Sequence, residues 1–199
     1  MSKIVIFGDS LVQGALDLEK GGWANRLKLF FWERNIKGKG VYYEGENVID
    51  FGVGGDKVLD VLRRFDCEIY NIRGEIDKVI FAVGINDAGF INGKKANSKN
   101  KFEQEFKRLL DAGIKQVGFE KIYVVGITNV CDSALKEWFS EERLAEFDII
   151  MKRISIEKGC NFISMYGKLA KDEFCEDALH PNAKGHKKIF KIIKDTLME

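Results

Sequence analysis

Short apolar runs alternate with longer stretches in which apolar residues recur at helical spacing, from one end of the chain to the other. An all-apolar or period-two run of this length is typical of a strand, and an i, i+3, i+4 repeat is typical of a helix with one buried face. Five such runs predict strands, over residues 3–8, 46–53, 77–84, 121–128 and 160–165.

Helical patterns follow each predicted strand. The clearest covers residues 56–72, with Asp56 as the expected N-cap. Its apolar stripe comprises Val58, Val61, Leu62, Phe65, Ile69 and Ile72. Further helices are predicted over residues 21–35, 102–114 and 141–159, with Gly159 as a C-terminal stop, and from about Ala183 onward.

Alternating strands and helices with short connections predict βαβ units, and therefore a mostly parallel sheet covered by helices on both faces. The chain contains 199 residues and one proline, and no segment has the composition of a linker. We therefore expect one α/β domain over residues 1–199, a three-layer α/β/α sandwich built on five strands.

Composition excludes several classes of function. The 32 Lys and Arg residues nearly balance the 31 Asp and Glu residues, which gives no basic footprint for nucleic acid. No apolar run approaches the roughly 20 residues of a membrane helix, so no membrane insertion is expected. The cysteines lack the close spacing of metal or disulfide motifs, which is typical of free thiols in the cytoplasm, where we expect the protein; they are Cys67, Cys131, Cys160 and Cys175.

Chemistry is expected at the carboxyl ends of the strands, where ligands bind in open parallel sheets. Polar and glycine-rich segments follow the first three predicted strands, at residues 8–10, 52–56 and 84–87. The first contains Ser10, a candidate nucleophile, directly after Gly8 and Asp9. Because parallel strands end at the same edge of a sheet, the three segments are expected to share one rim.

A serine nucleophile needs a base, and the chain has two histidines. His186 lies within the last predicted helix, in register with apolar residues, and we interpret it as a buried structural residue. His180 precedes Pro181 and follows Asp177 by three residues, so one turn can bring the carboxylate to Nδ1 and leave Nε2 free as a base.

Ester attack also needs hydrogen-bond donors for the developing oxyanion. Three candidates lie on the predicted rim: the N–H of Ser10, the N–H of Gly55 and the side-chain amide of Asn86. Each has a structural alternative, since the glycines of residues 52–55 can be turn residues and Asn86 can be a helix cap.

Four segments together resemble the SGNH hydrolases, also called the GDSL esterase/lipase family. They are GDSLVQG at residues 8–14, the glycine before Asp56, GIND at residues 84–87 and DALHPN at residues 177–182, in the family's order and spacing. The resemblance implies a flavodoxin-like sandwich, a Ser10 nucleophile, Asp177 and His180 as acid and base, and oxyanion donors at Gly55 and Asn86. It implies neither a cofactor nor a metal.

The chain departs from the family pattern near the second segment. Asp50 stands where family members often have Asn. Gly54 and Gly55 are adjacent, and alignment on Asp56 favours Gly55 as the oxyanion donor.

Substrate contacts are expected from residues 88–100 and 128–140, which follow the third and fourth strands. Phe90, Trp138 and Phe139 can line an acyl or alcohol site or simply seal the edge of the core, and Asp9 is a further candidate for substrate binding. With no long apolar lid in the sequence, the expected substrate is a small molecule carrying a short acyl ester, such as an acetylated carbohydrate or a small lipid.

Several alternatives share this architecture. A lysophospholipase or a thioesterase would use the same residues. A non-catalytic nucleotide or flavin module would need a phosphate loop after the first strand, and neither GxGxxG nor GxxxxGK[ST] is present. A metal-dependent phosphoesterase would use the clustered carboxylates and one histidine, namely Asp9, Asp56, Asp87, Asp177 and His180.

Overall fold

The computed structural model describes residues 2–39, 45–131 and 138–199. In chain order its strands are β1 (Lys3–Gly8), β2 (Asn47–Gly52), β3 (Ile76–Ala82), β4 (Phe90–Ile91), β5 (Lys94–Lys95), β6 (Ile122–Val125) and β7 (Asn161–Ile163). The five predicted strands form one parallel sheet in the order β2-β1-β3-β6-β7, and a separate hairpin pairs β4 with β5.

Helices flank the sheet on both faces, which confirms the α/β/α fold class. In chain order they are α1 (Ser10–Gln13), α2 (Gly22–Lys39), α3 (Val58–Tyr70), α4 (Ile85–Ala88), α5 (Lys99–Val117), α6 (Glu141–Glu157) and α7 (Ala183–Met198). The sequence predicts α2, α3, α5, α6 and α7, whereas α1 and α4 are single helical turns that it did not predict. Serine and asparagine side chains cap three of them: Ser98 accepts the Lys101 N–H, Ser140 accepts the Arg143 N–H, and Asn182 accepts two N–H groups of α7.

Two apolar cores lie on opposite faces of the sheet. On one face α3, α5 and α6 pack on alternate strand residues such as Phe7 and Phe81, whose rings lie within 6.0 Å of each other. On the other face α2 and α7 cover the remaining strand positions, with Trp23 at the centre. Burial of both sheet faces explains why the strands are apolar runs rather than alternating patterns.

Strand register aligns the three functional segments. Gly8 at the end of β1 pairs with Gly52 of β2 on one side and with Ala82 of β3 on the other. In the sheet β2 lies on one side of β1, and β3 lies on the other, so the strand order reverses at β1. Open α/β sheets bind ligands at such a switch point. The loops after β1, β2 and β3 therefore share one rim, as expected.

The start of α3 corrects one prediction, because Asp56 is not its N-cap. The helix begins at Val58 after Lys57, whose N–H is accepted by the Asp60 carboxylate at 3.1 Å. Asp56 instead forms an ion pair with Arg64. The β4–β5 hairpin is a second difference, since two-residue strands leave no periodic signal in a sequence.

The backbone at Gly14, which ends α1, lies in close contact with the backbone at Gly21 and Gly22, which begins α2. Gly14 ends the helix with a φ of 78°, and a Cβ there would lie 2.2 Å from the carbonyl oxygen of Gly21. A Cβ on Gly22 would in turn lie 2.4 Å from the Gly14 Cα. Only glycine fits this contact, which holds α1 against the start of α2. In the described part of the chain, no helix combines the length and the apolarity needed to cross a bilayer.

Candidate active site

Ser10 is the first residue of α1, immediately beyond the end of β1. Asp9 caps this helix by accepting the Leu11 N–H at 3.0 Å. The backbone carbonyl of Ser10 accepts the Ala15 N–H, while the Ser10 N–H has no acceptor among the described residues. The turn thus presents the half-buried hydroxyl and the N–H of the same residue at the rim.

His180 lies next to Ser10 although 170 residues separate them. Its Nε2 atom is 2.9 Å from the Ser10 Oγ atom, and its Nδ1 atom is 2.6 Å from Oδ2 of Asp177. With Nδ1–H donating to the carboxylate, Nε2 is left as the acceptor for the Ser10 hydroxyl proton. The geometry is that of a hydrogen-bonded Ser-His-Asp chain.

The Asp177–His180 turn is held by its own backbone. Asp177 Oδ1 accepts the N–H groups of Leu179 at 3.0 Å and of His180 at 2.9 Å. Ala178 adopts a left-handed φ of 61°, and its carbonyl oxygen accepts the Cys131 N–H at 2.8 Å. Such a conformation costs about 1 kcal/mol or more in a residue with a Cβ, and it persists because the surrounding contacts fix it.

Hydrogen bonds keep the Asp177 carboxylate ionised. Its partial burial acts to raise its pKa, but the bonds from the His180 ring and from the two backbone N–H groups outweigh that effect, and the pKa is lowered below its ordinary value. An ionised Asp177 can orient the His180 ring and stabilise its protonated form.

Gly55 lies in a tight turn after β2. The Asp56 N–H donates to the Val53 carbonyl oxygen at 3.1 Å, and Gly55 has a φ of 83°, which is typical of position i+2 in a type II turn. A Cβ on Gly54 would lie 4.0 Å from the Ser10 Cβ, so the turn runs close to Ser10. The Gly55 N–H has no acceptor within the described ranges.

Asn86 comes from α4, the short helix after β3. Its Nδ2 atom donates to the backbone carbonyl oxygen of Asp56 at 2.9 Å. A side-chain amide has two N–H bonds, so one is used by this contact and the other remains for a ligand. The three donors expected from the sequence, at Ser10, Gly55 and Asn86, thus come from the three adjacent strand ends.

A buried polar network behind Asn86 was not predicted. Asp87 is fully buried, and its carboxylate accepts the Val58 N–H at 3.0 Å and the Asn97 side-chain amide at 2.9 Å. Burial raises the Asp87 pKa to about 6, against the lowering effect of these bonds. Asn97 also donates to Glu105 at 2.8 Å.

Arg143 of α6 completes that network. Its guanidinium donates to the carbonyl oxygens of Asp87, Ala88 and Asn97, at 3.3, 2.9 and 3.0 Å. It therefore anchors the backbone directly after Asn86. Sequence periodicity gave no signal for it, because a buried arginine at a helix position looks like any solvent-facing one.

The residues expected to contact substrate fall into different environments. The Asp9 side chain caps α1. Because Asp9 is only 2% exposed, it is not accessible to a substrate in this structure. Phe139 is buried against Gly89, and Phe90 packs on the Arg143 guanidinium. Trp138 is 50% exposed, and its carbonyl oxygen accepts the Phe90 N–H at 2.8 Å. Residues 132–137 of the expected pocket wall lie outside the described residues.

Burial raises the pKa of the Asp9 carboxyl to about 7, and the nearby charges of Asp56 and Asp87 add to the effect. Asp9 lines a cavity of about 30 Å³ beside the Ser10 turn. Thr128 lines it too, and its buried hydroxyl has no partner among the described residues.

His186 stands apart from the Ser10–His180–Asp177 chain. It is fully buried in α7, and its Nδ1 atom accepts the Trp23 N–H at 3.2 Å. Burial lowers its pKa to about 4, so the ring is neutral near pH 7. This agrees with the structural interpretation drawn from the sequence.

The carboxylates considered for a metal site have separate protein partners. Asp9 and Asp87 accept backbone N–H groups, Asp56 pairs with Arg64, and Asp177 pairs with His180. Over residues 2–39, 45–131 and 138–199, no three His, Cys, Asp or Glu side chains converge as metal ligands would.

Comparison with known proteins places this geometry in context. The GDSL-like lipase/acylhydrolase family model matches residues 6–188. A lipase/acylhydrolase from Enterococcus faecalis superposes with a TM-score of 0.75 at 24% identity, covering 99% of this chain and 95% of that one.

Two further solved structures share the fold. A protein of the G-D-S-L lipolytic family from Veillonella parvula has a TM-score of 0.77 at 15% identity, with 100% of both chains covered. A variant of an acetyl xylan esterase from Geobacillus stearothermophilus has a TM-score of 0.75 at 16% identity, covering 97% of this chain and 93% of that one. No curated protein matches the sequence.

Proposed function

The chain belongs to the GDSL-like lipase/acylhydrolase family and is an ester-bond hydrolase, and from this premise we propose that it cleaves short-chain carboxylic esters through an acyl-enzyme on Ser10. The observation that carries the proposal is the hydrogen-bonded chain from Ser10 through His180 to Asp177, at 2.9 and 2.6 Å. It lies beside the N–H groups of Ser10 and Gly55, which have no acceptor among the described residues, and beside the second N–H of the Asn86 amide.

In the proposed first half-reaction, Ser10 Oγ attacks the ester carbonyl carbon while His180 Nε2 takes the hydroxyl proton. The carbonyl oxygen becomes an oxyanion, which accepts hydrogen bonds from the N–H groups of Ser10 and Gly55 and from Asn86 Nδ2. His180 then returns the proton to the leaving alkoxide, so an alcohol departs and the acyl group stays on Ser10.

In the second half-reaction, His180 takes a proton from water as the water oxygen attacks the acyl carbon. The same donors hold the second oxyanion, and the collapse of this intermediate breaks the bond to Ser10 Oγ. His180 returns its proton to Ser10, and a carboxylic acid is released. Asp177 keeps the ring oriented and offsets its positive charge in both halves.

A preference for short acyl groups is supported by the sequence, which has no long apolar segment that could form a lid over Ser10. An acetyl xylan esterase among the proteins of this fold is consistent with an acetylated carbohydrate as substrate.

The acyl-enzyme is tested by mixing the protein with p-nitrophenyl acetate, quenching early and mapping the acetylated peptide by mass spectrometry. We expect the label on Ser10, and we expect Ser10→Ala to lose the label and several orders of magnitude in kcat. Ser2→Ala, at the half-buried residue before β1, serves as the control. Activity of Ser10→Ala near that of the wild type would refute the proposal.

Substrate class is tested with acetyl, butyryl and octanoyl esters, with acetylated xylan fragments, and with acyl-CoA and lysophospholipid. We expect the highest kcat/KM with acetyl esters. A higher value with acyl-CoA or lysophospholipid would identify a thioesterase or a lysophospholipase and contradict the preference for short esters.

A further inference from the structure

Arg64 of α3 connects two of the three segments that form the candidate active site. Its Nε and Nη2 atoms donate to Oδ2 of Asp56 at 2.9 and 2.7 Å. Nη2 also lies 2.8 Å from the Phe51 carbonyl oxygen and 3.3 Å from that of Gly8. One guanidinium therefore contacts the carboxyl ends of β1 and β2 and the residue that follows Gly55.

The third segment is linked through Asp56. The backbone carbonyl oxygen of Asp56 accepts the Asn86 amide, while its carboxylate accepts Arg64. Hydrogen bonds thus run without a break from Gly8, two residues before Ser10, through Arg64 and Asp56 to Asn86. Of the proposed donors, Asn86 is a member of this series, Gly55 is next to Asp56, and Ser10 lies two residues after Gly8.

The Arg64 side chain is largely buried, and its guanidinium has several partners. Its side chain is 20% exposed, Asp56 is 12% exposed, and Nη1 is occupied by Glu68 at 2.6 Å. The guanidinium carbon also lies 5.7 Å from the centre of the Phe7 ring. A planar guanidinium can satisfy a carboxylate and two carbonyls at once, which a lysine ammonium cannot do in the same geometry.

Charge gives Arg64 a second role. The Asp56 carboxylate is close enough to the Ser10 turn to raise the pKa of Asp9. Left without a partner, the same negative charge would oppose the oxyanion that forms beside Gly55. The Arg64 guanidinium balances it at 2.7 Å.

We propose that Arg64 is a positioning residue for ester hydrolysis, which holds the Gly55 turn and Asn86 in register with Ser10 and balances the charge of Asp56. The inference rests on the proposed function, because it assigns these three residues to oxyanion binding. Arg64 itself does not touch the substrate.

Neighbouring Arg63 provides the matched control, since its exposed side chain forms an ion pair with Asp60 at 3.5 Å and not with the segments of the candidate active site. For Arg64→Ala we expect kcat on p-nitrophenyl acetate to fall about tenfold to a hundredfold, with KM little changed, because a misplaced oxyanion donor weakens binding of the transition state. Arg64→Lys keeps the charge and the alkyl stem and should lose less. Arg63→Ala should behave as the wild type.

Chemical rescue separates positioning from a general loss of folding. Millimolar guanidinium chloride should raise kcat of Arg64→Ala several-fold and leave Arg63→Ala and the wild type unchanged. If Arg64→Ala does not fold, Arg64→Lys carries the test through its kcat and KM.

Wild-type kcat in either Arg64 variant, or an Arg64→Ala defect that guanidinium does not relieve, overturns the inference. Ser10→Ala is measured in parallel. If it is inactive while Arg64→Lys retains wild-type kcat, the inference alone fails; if Ser10→Ala is fully active, the proposed function fails.

Discussion

The side chain of Asn86 donates a hydrogen bond to the backbone carbonyl oxygen of Asp56, with 2.9 Å between nitrogen and oxygen. This contact joins the loops after β2 and β3, which lie on opposite sides of β1 in the sheet. The second N–H of the amide remains available to a ligand. Asn86 therefore both connects two loops of the rim and supplies a hydrogen-bond donor.

Replacing Asn86 by Ala should therefore lower kcat by about 100-fold to 1000-fold, the usual cost of one oxyanion donor. Asn86→Asp should be worse, because it places a negative charge where another develops. The measurement is steady-state hydrolysis of p-nitrophenyl acetate. Asn71→Ala, on the exposed end of α3, serves as the control, and an Asn86→Ala enzyme with kcat close to that of Asn71→Ala would contradict the assignment.

Asp177→Asn tests the orientation of His180. The amide can hold the ring in the wrong tautomer and cannot offset its positive charge, so kcat should fall by about 1000-fold or more. Asp172→Asn changes an exposed carboxylate of the same segment that pairs with Lys184, and it should be nearly silent. Comparable kcat values for the two variants would exclude Asp177 as the residue that orients the base.

Asp9→Asn should change stability in a pH-dependent way. The folded-state pKa of about 7 lies above the ordinary value of 3.8, so the folded state disfavours the charged form, and this penalty grows as pH rises from about 4 to about 7. Asparagine retains the cap without the charge. Relative to the wild type, the variant should gain up to about 4 kcal/mol in unfolding free energy at pH 8 and little at pH 4.

Urea unfolding at pH 4, 6 and 8 measures the Asp9 effect, with the exposed Asp66→Asn as the control. A difference between Asp9→Asn and the wild type that stays constant across this range would show that the Asp9 carboxyl titrates normally.

Gly14→Ala and Gly93→Ala differ only in the space around them. Both glycines have a positive φ, 78° and 71°, but a Cβ on Gly14 would lie 2.2 Å from a backbone oxygen, whereas nothing lies within 4 Å of one on Gly93. We expect a loss of about 1 kcal/mol for Gly93→Ala and about 3 kcal/mol or more for Gly14→Ala. Thermal unfolding measures both, and equal losses would mean that the Gly14–Gly22 crossing is not a tight constraint.

Periodicity in the sequence was sufficient for the sheet and the long helices. Burial of both sheet faces makes β1 an unbroken apolar run, and the stripe of α3 follows from packing on one side only. The grouping of Ser10, Asp177 and His180 also agrees with the sequence analysis, because strand ends and an i, i+3 pair constrain geometry locally.

Other features depend on hydrogen-bond and ion-pair partners that only the fold supplies, and they left no such signal. Asp56 looks like an N-cap from its position, yet its carboxylate has a partner eight residues later in Arg64. Asp87 and Arg143 are charged residues buried by contacts across 29 and 56 residues. A single sequence shows that these side chains are polar, but the fold decides which of them become buried and paired.

The separation of 170 positions between Ser10 and His180 bears on when the site can form. The strand that precedes Ser10 pairs with β2 and β3, and this pairing needs nothing from the segment that carries Asp177 and His180. The hydrogen bond between Ser10 and His180 forms only once that segment has docked at the rim. In the proposed mechanism, ester cleavage therefore reports a completed fold, because a chain with only the central strands paired has no base beside its serine.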